Sequence, residues 1–367
     1  MSTSDLQEPT PPEDVKPPES APVAKRIIEV AVSVVVVGVT FFVILPRVVD
    51  LDEVRSVLAD LTWLEGATLG VAAAWNLVTY WLLMMATLPH LSFGQAMVVT
   101  ETSTAISNVL PGGPAFGMGL SYSMYSSWGF DRSSVALAIG VSGFADLFVK
   151  LAMPAVALIF IVLYEDTSPG LITAALVGAL ALTGFVAVGW MTLRSDHSAH
   201  RVGEALARPA APFLKRRGRS AKNWGATFAA FRKQTITMID QRGWILLGAS
   251  VMSHVSLFIV LLLALRHVGV SEEQIGWAEA LGAFAFVRFL TALPLTPGGL
   301  GVIELGLSAA LVYAGGPRAE VVAAVLVFRA LTYLVQIPFG AITYLYWRHS
   351  DRWRPGLSES GAGMSGS

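Results

Sequence analysis

The sequence has no cysteine. Disulfides, thiolate nucleophiles and cysteine metal sites are excluded together. Histidine is scarce, with six residues scattered along the chain, and no metal site or cofactor is expected. Charge is low as well. Only 14% of residues are charged, against about 25% in soluble domains. The 25 Lys and Arg nearly balance the 26 Asp and Glu, so no general attraction to nucleic acid follows from net charge.

Long apolar runs are what the chain does have. Hydrophobic residues make up 54% of it and mean hydropathy is +0.61. Residues 66–88, 167–193 and 243–265 carry no charge at all, and 30–45 is equally clean. About 20 apolar residues cross a bilayer as a helix. The expected class is an all-α polytopic membrane protein. Residues 1–24, with "EPTPPEDVKPPESAP", cannot build a core and form an expected disordered tail. The first apolar run begins too late and runs too long for a cleaved signal peptide. Residues 349–367 form a second expected tail.

Lys and Arg in the loops set orientation. Residues 194–242 hold eleven Lys/Arg against three Asp/Glu, including "KRRGR" at 215–219. This segment is expected to be a basic cytoplasmic loop, between transmembrane halves at 25–193 and 243–348. Positive-inside bias explains "KRRGR" without a nucleic-acid partner. Trp224, Phe228 and Phe231 share one helical face, which predicts an amphipathic helix on the inner leaflet. Basic flanks place both termini in the cytoplasm.

Two stretches break this pattern: "LPGGPAFG" at 110–117 and "LTPGGLG" at 295–301. With Gly112 laid on Gly298, eight positions coincide from Val109 to Val141. They include Pro111, Gly112, Gly113 and Arg132 against Pro297, Gly298, Gly299 and Arg318. The span order puts the two units in opposite orientations. Inverted-topology repeats with broken helices are a mark of secondary transporters. The arms around the first break are too short to span comfortably, which predicts re-entrant hairpins whose Pro-Gly tips approach each other.

A helix restarting after such a break offers unpaired N–H groups and a positive dipole end to an anion. Candidate substrate-binding residues are therefore Asn108, Pro111, Gly112, Gly113, Arg288, Pro297, Gly298, Gly299, Gly301, Glu304 and Arg329. Glu304 also has a plain structural reading, a first-turn acid satisfying a helix end. Glu101, Asp146 and Lys150 are coupling or structural charges, and Asp146 with Lys150 fits a local i,i+4 pair. Arg288 and Arg329 have no acid three or four residues away and must reach across helices, with Glu304 and Glu101 as candidate partners. An acid beside such an arginine could exchange a proton. Asn76 and Asn108 could cap broken backbone. His254, alone inside an apolar run, reads first as a core hydrogen-bonding residue.

The segments "NVLPGGPAFG" (108–117), "PLTPGGLGVIE" (294–304) and "FRALTYLVQIPFG" (328–340) resemble the flippase-like transmembrane domain of lysylphosphatidylglycerol synthases and its stand-alone relatives. The resemblance covers roughly residues 30–347. It departs after the first turn, where relatives carry an acid and this sequence reads "GMGLSYSMY" with Met118. The resemblance implies movement of a phospholipid or modified lipid between leaflets. The implied partners are anionic or aminoacylated membrane lipids, in the plasma membrane of a bacterium. The synthases append an aminoacyl-transferase domain; this sequence runs only to Ser367, so enzymatic aminoacyl transfer is not expected. A secondary transporter of a small anion or solute is the first alternative. A non-catalytic scaffold for a lipid-modifying enzyme is the second. A homo-oligomer stays open.

Overall fold

The structure is a computed structural model describing residues 51–110, 113–164, 224–292 and 296–350, with scattered positions between 170 and 201. All regular elements among the described residues are helical. A short helix, α1 (Leu51–Ala59), precedes a long one, α2 (Trp63–Thr87). Two short helices follow, α3 (Phe93–Val109) and α4 (Gly113–Ser127), and then long α5 (Arg132–Tyr164). A second run of one long, two short and one long helical stretch follows. Long α6 (Trp224–His267) leads to short α7 (Trp277–Leu290) and α8 (Val302–Tyr313). Then α9 (Arg318–Arg329) continues through a π turn at Ala330–Leu334 into α10 (Gln336–His349).

Among the described residues four helices are long and apolar enough to cross a membrane: Trp63–Thr87, Ser133–Tyr164, Thr235–His267 and Arg318–His349. They fall on the predicted spans at 63–88, 133–163, 243–265 and 319–347. The chain is a multi-pass membrane protein. Of the other predicted spans, 27–45 lies outside the described residues and 171–193 is described only at scattered positions.

Local sequence sets the helix starts. Thr62 and Glu65 exchange side-chain and main-chain bonds at the head of α2, and Ser92 and Gln95 do the same for α3. At α7 and α8 the capping residue is glycine, so only the acid three residues on can act. Glu279 accepts from the Gly276 N–H at 3.1 Å and Glu304 from the Gly301 N–H at 2.7 Å. The predicted surface helix near Trp224 is no separate element. It runs on through Gly243 as part of 44-residue α6, because neither a proline nor a turn motif interrupts 226–267. At 1.5 Å per residue that helix is ~66 Å long and extends well beyond a bilayer core.

Packing interlocks the halves. The long helices α2 and α6 lie against each other. Short α3 packs on α10 and short α7 packs on long α5. One apolar core gathers Leu261, Leu265, Phe284, Leu307, Leu311 and Phe328 from α6 to α9. The other joins Trp81, Val98, Val99, Met124 and Val135, with Phe339 and Trp347 of α10 set against it. This arrangement holds the two broken segments side by side.

Candidate functional site

The second break, Pro297–Gly299, is a short 3-10 turn. Gly298, Gly299 and Gly301 take φ values of 56°, 70° and 78°, a left-handed run that side chains resist and glycine accepts. A Cβ on Gly298 would overlap the Tyr333 ring, and Asn108 Oδ1 lies 3.0 Å from its place. The turn is thus pressed between α3 and the π turn.

A chain of polar contacts locks it there. Glu304 is 3% exposed. One of its oxygens takes the Gly301 N–H, and the other accepts from Arg329 Nε at 2.6 Å. Arg329 Nη2 donates to the Gly298 carbonyl at 3.1 Å, and its guanidinium stands 4.2 Å over the Tyr333 ring. Tyr333 donates its hydroxyl to the Asn108 carbonyl at 2.9 Å. The helix end, the buried ion pair, the π turn and the last turn of α3 form one unit. The π turn lies just before Pro338, which has no N–H for the Leu334 carbonyl.

A cavity of ≈ 290 Å³ opens between the breaks. Asn108 and Pro114 line it from the first, and Thr296, Gly298 and Gly299 from the second. Glu101, Lys150, Arg288 and Arg329 bring charge to its wall. Glu101 is 1% exposed and accepts from Trp81 Nε1 at 2.7 Å through Oε1. Its Oε2 has no partner among the described residues, and neither do Arg288 Nε, Thr100 Oγ1 or Thr296 Oγ1. All four residues line the cavity. Burying such atoms unpaired costs free energy, so their convergence on one space makes it the candidate site for a polar ligand.

A third group stands at the edge. Lys150 pairs with Asp146 at 2.6 Å, as their spacing predicted. His254 Nε2 lies 3.4 Å from Asp146 Oδ1 and 3.4 Å from Arg288 Nη2, and its Nδ1 is 3.0 Å from the Ser250 carbonyl.

The structure brings Asn108, Arg288, Gly298, Gly299, Arg329, Glu101 and Lys150 to one cavity. It corrects three details. Arg329 takes Glu304 as its partner, but Arg288 faces His254 rather than either expected acid. Glu304 is committed to the helix end and to Arg329, not to the cavity lining. Asn76 bonds the Ser253 carbonyl and Ser256 Oγ, tying α2 to α6, and caps no broken backbone. Gly113 starts α4, Gly301 heads α8 and Pro297 opens its turn. Pro111 and Gly112 lie outside the described residues. Sequence reasoning missed Thr100 and Thr296 as lining groups and left Tyr333 out of the site. Thr100 in an apolar helix and Thr296 in the bend before Pro297 carry no distinguishing signal, whereas Tyr333 sits four residues after Arg329 on one helix face.

A family model described as Lysylphosphatidylglycerol synthase TM region matches residues 26–340. No curated protein and no solved structure matches the chain.

Proposed function

The chain belongs to the lysylphosphatidylglycerol synthase TM region family, and on that premise we propose that it translocates a phospholipid or modified lipid between leaflets. The observation that carries this reading is the cavity between the two helix breaks, where Arg288 Nε and Glu101 Oε2 have no partner among the described residues. Arg288 suits the phosphate, since guanidinium binds phosphate oxygens through several donors. Glu101 and the two threonines suit the donors of a polar headgroup. At ≈ 290 Å³ the space takes a headgroup and leaves acyl chains outside, among lipids.

In this reading the halves are inverted repeats and the short-helix pairs are re-entrant hairpins. Their lengths support it: 17, 15, 14 and 12 residues give helices of ~25, ~22, ~21 and ~18 Å, short of a ~30 Å core. The reciprocal packing of α3 on α10 and α7 on α5 supports it too. The protein moves its lipid in the plasma membrane and carries out no covalent step.

The test is a leaflet assay on purified protein in vesicles of phosphatidylethanolamine and phosphatidylglycerol. An impermeant reagent reads the exposure of a fluorescent phosphatidylglycerol. The expected result is protein-dependent equilibration that Arg288→Ala slows at least tenfold. Equilibration no faster than in empty vesicles, across anionic and aminoacylated lipids, would overturn the reading.

A further inference from the structure

Lipid equilibration by itself needs no histidine, yet one stands behind the cavity wall. His254 lies within α6 and is 2% exposed. The Ser250 carbonyl, 3.0 Å from Nδ1, can only accept, so Nδ1 carries the hydrogen. In the neutral ring Nε2 then holds a lone pair. That lone pair can accept from Arg288 Nη2 but offers nothing to Asp146 Oδ1, although both lie 3.4 Å away. A proton on Nε2 reverses the preference. The ring then donates to Asp146 and repels the guanidinium.

We propose that His254 binds a transported proton, and that this proton passes the ring from Arg288 to Asp146 and frees Arg288 for a phosphate anion in the cavity. The proposal rests on the translocation reading for the identity of its anion. The charged groups acting on the ring are Arg288 on α7 and Asp146 and Lys150 on α5. Arg329, on neighbouring α9, is held by Glu304, and α2 presents neutral Asn76 and Thr79 to α6. With the ring neutral, Asp146, Lys150 and Arg288 sum to one positive charge. A phosphodiester cancels it, and a proton on the ring restores it. Anion and proton therefore favour each other's binding, and the coupling is reciprocal. Together they cross without net charge, so membrane voltage does not drive them.

By sequence alone, an acid beside an arginine is the candidate for proton exchange. Glu304 cannot serve while both its oxygens are taken. His254 can, because one added proton changes which neighbour it bonds.

The experiment uses the full chain in the same vesicles, with a pH gradient across the membrane. Fluorescent phosphatidylglycerol should accumulate in the leaflet facing the alkaline side, by up to about tenfold per pH unit for one proton per lipid. A potassium diffusion potential should leave that distribution unchanged. His254→Gln, and separately Asp146→Asn, should abolish the response to the gradient. The wild-type arm decides the question even if both variants misfold. Lipid that equilibrates without bias from the gradient would overturn the coupling and leave translocation standing. A parallel arm measures uptake of inorganic phosphate. Gradient-driven phosphate uptake with unmoved lipid would uphold the coupling and overturn the lipid reading.

Discussion

The hydroxyl of Tyr333 donates to the main-chain carbonyl of Asn108 at 2.9 Å, across 225 residues of sequence. That bond ties the π turn of the second half to the last helical turn before the first break. Arg329 lies over the same ring and holds the Gly298 carbonyl, so Tyr333 is where both breaks are joined. Tyr333→Phe should keep the ring and lose the bond. The expected cost is about 0.5–1.5 kcal/mol, read as a lower midpoint of thermal unfolding in detergent. An unchanged midpoint would mean the bond does not hold the breaks together.

Gly298→Ala should do far more than one methyl group does elsewhere. The residue has positive φ, and a Cβ there meets the Tyr333 ring. A strained backbone of this kind costs on the order of 1–3 kcal/mol, and the displaced ring adds to it. Gly66→Ala is the control. A Cβ at Gly66 meets nothing within 4 Å among the described residues and sits inside α2, so a gain of about 0.4–1 kcal/mol is expected. The yields of monodisperse protein from the two variants give the comparison.

Glu304 and Arg329 should behave as one unit. Each sits in an apolar region where a lone charge costs about 2.5–3.5 kcal/mol or more, and each removes that cost from the other. Glu304→Gln or Arg329→Met alone should destabilise by about 3–5 kcal/mol. The double variant should cost less than the sum, with a coupling of about 0.5–3 kcal/mol. Additive single effects in an unfolding cycle would contradict the pairing.

The spans were legible because apolar runs of bilayer length with few charges have few other uses. Both breaks were legible because Pro-Gly-Gly cannot continue a helix. The Asp146–Lys150 pair was legible because four residues is one helical turn. The partner of Arg288 was not, since His254 and Arg288 lie 34 residues apart on different helices. Nothing in either local sequence records how those helices face. The Tyr333–Asn108 bond was hidden for a second reason: its acceptor is main chain, which every residue has. Glu304 fits two roles by sequence, and the structure shows the helix-end role, with Arg329 added.

At the start of α5, outside the apolar span, Asp131 accepts from the Ser133 hydroxyl and from the N–H groups of Ser133 and Ser134. These bonds, the hydroxyl first, hold its carboxyl below the usual carboxylate range. A folded-state pKa below the unfolded one means stability that is present above the unfolded pKa. It is lost as pH falls through the folded value. Asp131→Ala should therefore lower the unfolding midpoint at neutral pH. The gap from wild type should close as the medium is acidified below the ordinary carboxylate range. A gap constant with pH would show that the charge of Asp131 is not what caps α5.

In the translocation reading a headgroup passes through the cavity between the two breaks. The chain's lack of cysteine allows a direct test by single-cysteine labelling. Thr104 lines the cavity, and Trp244 on α6 is 87% exposed and lies off it. Thr104→Cys and Trp244→Cys would each be assayed for lipid translocation before and after reaction with a bulky thiol reagent. Labelling should stop translocation at position 104 and leave it running at position 244. Unchanged translocation by fully labelled Thr104→Cys protein would show that the headgroup does not pass through this cavity.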